Sequence, residues 1–172
     1  MGLSDSEILI PKPPEREERI SELDLIADQY YKRYNPPEHQ HKLDSDVVGL
    51  FSSLVKSSGR SCIIPMLEEL NHAIKPIILV HKEHFNQGRP ADLAYEIGKP
   101  VPFDYLESAQ TPSYPSGHAA QAFFFAHLLS DLFPDLSINL YELANMVAES
   151  RVDRGVHFPS DISAGKLLAR KL

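Results

Sequence analysis

Residues 115–134 read PSGHAAQAFFFAHLLSDLFP. The stretch reads as one helix from Ser116 to Phe133, rich in Ala and Phe, with Ser116 an apt N-cap and Pro134 the stop. Its most apolar part, Ala119 to Leu129, is interrupted by Gln121 and His127. A membrane-spanning helix needs about 20 mostly apolar residues, so this helix belongs to a protein core, with Phe123 to Phe125 inside it. One of those rings is also placed to wall a pocket.

Working outward, helical spacing continues on both sides. Ser137 to about Arg151 reads as a helix with Leu140, Leu143, Ala144, Val147 and Ala148 inward. A last helix opens at Pro159 and carries Ile162, Ala164, Leu167 and Leu168 to the C-terminus. Upstream, Ile20, Leu23, Ile26, Ala27, Tyr30, Tyr31 and Tyr34 recur at three- and four-residue steps after Pro13-Pro14, and Pro36-Pro37 stop them. That tyrosine stripe is expected to face the core; packed instead on a second copy, it would make the chain a homo-oligomer. A further helix is expected from about Ser45 to Ser57, and another from near Pro65 with Leu67, Leu70, Ile74, Ile78 and His81, kinked at Pro76. Asn86 to Pro115 is punctuated by glycine and proline and has no convincing period, so it reads as a long functional connection. No alternating strand pattern of useful length occurs. The expected fold is all-α: a compact bundle of about six to eight helices in a single domain over 1–172, with an extended N-terminal arm over 1–14.

Composition narrows the function. The chain has 172 residues, 42% of them hydrophobic and 24% charged, with a net charge of −7. That is enough to bury a core without staples, and it excludes a disordered tail, a collagen-like rod and a disulfide scaffold. A pI near 5.6 argues against a nucleic-acid partner. The single cysteine, Cys62, can form neither an internal disulfide nor a multi-thiolate zinc site, and it fits a reducing compartment. The start, MGLSDSEILI, lacks a secretory signal, so a cytoplasmic location without a membrane span is expected. Met1-Gly2 with Ser6 meets the loose myristoylation pattern, as many ordinary starts do. His39 and His41 fall in a polar loop, and His81 and His84 could share a helix face, but no third metal ligand is evident.

Three clusters carry reactive side chains. HKEHFNQGRP (81–90) holds Lys82 and Arg89, a mobile point charge and a rigid donor fork able to close on one anion. PSGH (115–118) puts Ser116, Gly117 and His118 at a helix start, where free N–H groups and the dipole favour an anion. SRVDRGVHFPSD (150–161) sets Arg151 near His157, and Asp161 can fix one imidazole nitrogen and leave the other free. Each cluster also has a plain structural reading: a solvated Lys with a salt-bridged Arg, an ordinary helix cap, and a packed loop histidine.

Together the clusters resemble the superfamily of type 2 phosphatidic acid phosphatases, class A acid phosphatases and vanadium haloperoxidases. Its signature is K-x6-R-P, then P-S-G-H, then S-R-x5-H-x3-D. All 11 specified positions are met between Lys82 and Asp161, in order and at the right spacing. At about one in twenty per position, coincidence is negligible. The resemblance implies His157 as the nucleophile forming a phosphohistidine, Asp161 as its orienting partner, and His118 as general acid and then base. It implies Lys82, Arg89, Ser116, Gly117 and Arg151 as the phosphate cradle, with no metal and no cofactor; phosphate or vanadate would occupy the site. The expected activity is a metal-independent phosphomonoesterase acting on small soluble phosphate esters, inhibited by vanadate. A vanadate-dependent haloperoxidase and a non-catalytic phosphate-binding module are the alternatives.

Overall fold

The computed structural model describes residues 7–33 and 37–172. Eight α-helices occur among them: α1 (Arg16–Lys32), α2 (Pro37–Ser45), α3 (Val47–Ser57), α4 (Ile64–Phe85), α5 (Pro90–Glu96), α6 (Gly117–Leu132), α7 (Ser137–Asp153) and α8 (Pro159–Ala169). No strand occurs among the described residues, and no helix there is long and apolar enough to cross a membrane. The all-α expectation holds.

The central element is α6, which packs most extensively on α7 and α8. Its alanines make this possible: Ala119, Ala120, Ala122 and Ala126 are buried and let neighbouring backbones come close. The main core gathers Phe125 and Leu129 with Phe51 of α3, Leu23 and Ile26 of α1, and Leu140 and Val147 of α7. The rings of Phe51 and Phe125 meet edge to face at 5.6 Å. Fully burying each such side chain contributes about 1.5–3 kcal/mol. A smaller cluster, including Ile10, Ile74, Ile78, Tyr114 and Leu168, lies on the Ala120 side. The arm before α1 is held there, with Tyr114 Oη donating to Pro11 O at 2.7 Å and Leu9 N donating to His81 Nε2 at 3.2 Å.

Three expectations change. His39 and His41 lie on α2 rather than in a loop. That polar helix buries Gln40 and Leu43, too few residues to print an apolar stripe. The connection 86–115 contains α5 and a 3-10 turn, Glu107–Ala109. Pro90 starts α5 and the Arg89 N–H donates to Asp92 Oδ2 at 2.7 Å; seven residues are too few for a period to emerge. The tyrosine stripe is not core: Tyr31 is 77% exposed, and Tyr30 is half-buried because its hydroxyl reaches Asp104 at 2.9 Å. His81, expected at the edge of the core, is buried, its Nδ1 bonding the Ile77 carbonyl at 2.8 Å while Nε2 takes the Leu9 N–H. Gly2, Ser6 and Tyr34 lie outside the described residues.

Helices α6 and α8 approach closely at Gly165 of α8. A Cβ there would stand 2.6 Å from Ser116 O and 2.9 Å from the Ala119 Cβ. Gly165→Ala is therefore expected to push α8 off α6 at a cost of about 2 kcal/mol, lowering the melting temperature by about 4–8 °C. Calorimetry or circular dichroism checks this; an unchanged midpoint would refute the close contact.

Candidate active site

Helix ends build the site. Asn86, with φ of 44°, stops α4 in the left-handed conformation just after Lys82, and the chain turns through Gln87 and Gly88 to Arg89. Ser116 caps α6, its Oγ accepting from Ala119 N at 3.3 Å, and its own N–H donates to the Asp161 carbonyl at 3.0 Å. Gly117 stands against the Lys82 stem, where a Cβ would meet Lys82 Cε at 3.6 Å. Arg151 closes α7, and His157 and Asp161 flank the start of α8, where Pro159 sets the first turn. All eight residues singled out from the sequence thus come to one end of α6.

His157 has a defined tautomer. Its Nε2 lies 3.0 Å from Arg89 Nη1, and a guanidinium can only donate, so Nε2 presents its lone pair. The proton is then on Nδ1, which donates to Asp161 Oδ2 at 3.0 Å. Asp161 is fully buried and also accepts from Phe158 N at 2.9 Å, from Gln87 Nε2 at 3.0 Å and from Ser113 Oγ. Such a carboxylate holds the ring in place and supports an imidazolium if one forms.

The chain's own oxygens fill the cationic side chains. Lys82 Nζ donates to Pro112 O at 2.5 Å and more weakly to Ser113 O at 3.4 Å. Arg89 gives Nε and Nη2 to Thr111 O at 3.0 and 2.7 Å and Nη1 to Val156 O at 2.7 Å. Arg151, with no exposed surface, pairs with the Asp44 carboxylate and gives Nη2 to Ser108 Oγ at 3.1 Å. Its buried Nε–H has no partner among the described residues. His118 Nε2 lies 2.8 Å from the Asp44 carbonyl and 3.3 Å from Asp44 Oδ1.

Crowding cations in a dry place shifts every titration. Burial, then the charge of Arg89, pulls Lys82 down to about 7. Burial likewise brings Arg89 to about 10. Burial and Arg151 take His118 down to about 3, and burial and Arg89 hold His157 well below the ordinary range. Burial raises Asp161 to about 6 against the pull of Ser113 and the Phe158 N–H. Burial also works to raise Asp44, but Arg151 overrides it and keeps that carboxyl below its usual value. The site is short of negative charge and neutral at both histidines, a place prepared for an anion.

Sequence reasoning missed Asp44, Ser108, Gln87 and Ser113. Asp44 sits 107 positions from Arg151 on a helix with no apolar stripe, so nothing local marks it. Gln87 and Ser113 lie two residues before Arg89 and Pro115, inside or beside the signature segments; their polarity at buried positions was the only available signal.

The PAP2 superfamily profile matches residues 70–170. An acid phosphatase of Zymomonas mobilis subsp. mobilis is 37% identical over 57 residues, 33% of this chain and 22% of that protein, so the chain spans only about a fifth of that relative's length. In structure, a transmembrane PAP2-type phosphatidylglycerolphosphate phosphatase from Bacillus subtilis superposes with a TM-score of 0.58 at 20% identity, covering 90% of this chain and 82% of that one. That likeness is one of fold. The profile covers more than half of the chain and includes every signature residue from Lys82 to Asp161, and the chain belongs to the PAP2 superfamily.

Proposed function

We propose that the chain is a phosphatase that passes the phosphoryl group of a small ester to His157 and then to water. The observation that carries this reading is the His157 lone pair, aimed at a guanidinium donor while Asp161 grips the opposite nitrogen. The Nε2 lone pair attacks phosphorus, the bond to the ester oxygen breaks, and His118 gives that oxygen a proton. A water then attacks the phosphohistidine, His118 takes its proton, and the P–N bond breaks to release phosphate.

The cations do most of the remaining work. Phosphoryl transfer needs positioning and charge neutralisation more than covalent help. A cation about 4 Å from a phosphoryl oxygen is worth roughly 4 kcal/mol at a surface-like effective dielectric, so Lys82, Arg89 and Arg151 together supply a large stabilisation. The unpartnered Arg151 Nε–H is a donor free for such an oxygen. The incoming anion also sets His118: its charge and the Asp44 carboxylate favour the imidazolium, which hands over its proton during the first step. Vanadate, which copies the pentavalent geometry, is read as an inhibitor. The exposed Cys62 thiol fits a reducing compartment such as the cytoplasm.

Para-nitrophenyl phosphate hydrolysis in the presence of EDTA tests the reading. His157→Ala should lose at least about 10³-fold in kcat/KM, and His118→Ala should lose most on esters with poor leaving groups. Turnover retained without the imidazole at 157 rejects the nucleophile. Vanadate-loaded protein that oxidises bromide with peroxide favours the haloperoxidase instead, and phosphate binding without turnover favours a binding module.

The lowered Lys82 gives an independent test. An anion beside the ammonium raises its pKa from about 7 back toward the ordinary 10.5, so binding takes up a proton between those values. Calorimetry of inorganic phosphate at pH about 8.5, in buffers of different ionisation enthalpy, should register net uptake. Release of protons would refute the cation-starved site.

A further inference from the structure

A cavity of about 550 Å³ lies beside the catalytic cluster, bordered by Arg89, Thr111, Pro112 and Val156. Its volume is that of a site for a small organic ligand. The same guanidinium touches His157 and borders the cavity, so the cavity opens beside the proposed phosphoryl site. The lining also includes two rings, Phe103 and Tyr105, 50% and 76% exposed.

These rings sit on an ordered rim. Between them, Asp104 accepts from Tyr30 Oη, Arg33 Nη1 and Arg154 Nε, each at 2.9 Å, and its own N–H donates to Arg154 O at 2.9 Å. Gly155 lets the same segment lie close, since a Cβ there would fall 2.2 Å from Pro102 O. Little ordering cost remains for a ligand to meet. Three polar side chains of the lining are engaged: Asp92 accepts the Arg89 N–H at 2.7 Å, Asp104 holds its three donors, and Gln110 Nε2 donates to Leu106 O at 2.9 Å. The two aromatic side chains of the lining offer a planar apolar group a stacking area that a polyol cannot use.

We propose that this cavity is the leaving-group subsite and selects a planar, largely apolar ester such as an aryl or nucleobase-bearing phosphate, with Phe103 and Tyr105 as specificity-determining residues. The proposal rests on the phosphatase reading and assigns the substrate class within it. The rings act on binding of the organic group, not on the phosphoryl cradle.

The test compares naphthyl phosphate with glycerol phosphate in the wild type and in the Phe103→Ala/Tyr105→Ala double variant. KM for naphthyl phosphate should rise about tenfold or more, while kcat, the glycerol phosphate KM and vanadate inhibition stay within about twofold. An unchanged naphthyl KM, or an equal loss on both esters, overturns the subsite. If the wild type hydrolyses neither ester, the phosphatase reading falls, and calorimetry with naphthylmethylphosphonate and methylphosphonate decides the subsite alone. Tighter binding of the naphthyl compound, lost in the double variant, supports it; equal binding of the two overturns it.

Discussion

Taking a carboxylate out of water costs several kcal/mol unless donors replace the lost hydration. Asp161 is fully buried, and its donors come from every part of the signature. Gln87 lies in the Lys82–Arg89 segment, Ser113 stands just before PSGH, and His157 and the Phe158 N–H belong to the last segment. The Asp161 backbone carbonyl takes the Ser116 N–H as well. One side chain therefore ties together three stretches that the chain keeps far apart. Removing it would leave a lysine, two arginines and four orphaned donors facing each other. The two-carbon reach of aspartate at the first turn of α8 sets how close His157, Ser113 and Gln87 must come.

The cations pose the complementary problem. Lys82 and Arg151 are almost wholly buried, with Arg89 partly so, and the carboxylates of Asp44 and Asp161 are too few to balance them together with any protonated histidine. The chain makes up the difference with carbonyls of Thr111, Pro112 and Ser113 and with the Ser108 hydroxyl. Neutral dipoles are weaker partners than a phosphoryl dianion, whose oxygens bond charged donors about twice as strongly. Residues 108–113 thus supply the dipoles that partner the buried cations. Burial, with the charges of Arg89 and Arg151, is what depresses Lys82 and His118.

What the sequence disclosed follows from range. Helices α6, α7 and α8 were legible because their apolar positions recur within a few residues, and the eight site residues because each of the three segments has fixed internal spacing. Asp44, on a polar helix far upstream, has no such local context, and its pairing with Arg151 exists only after α2 packs on α7. Tyr30 and Tyr31 show the opposite failure: the helical period is real, but a hydroxyl reaching Asp104 and a ring left in water turn the stripe away from the core. Helix α5 was hidden because two turns between a proline and a glycine resemble a loop. Phe103 and Tyr105 carried no signal at all, since exposed rings become meaningful only once the cavity beside them is known.

The fold is shared with a transmembrane phosphatase at 20% identity. In α4 the outward residues include Glu68, Glu69, His72 and Lys75, while Leu67, Ile74, Ile78, His81 and Lys82 face inward. The inward set carries Lys82; the outward set mixes those polar residues with the exposed Ile64 and Ile77. Because the reactive groups sit at helix ends and are bound to one another through Asp161, Arg89 and Asp44, helix exteriors can be polar or apolar without moving them. In the proposed reading, substrate choice falls to the segments that rim the site, which in this chain means the stretch from Val101 to Pro112 with Phe103 and Tyr105.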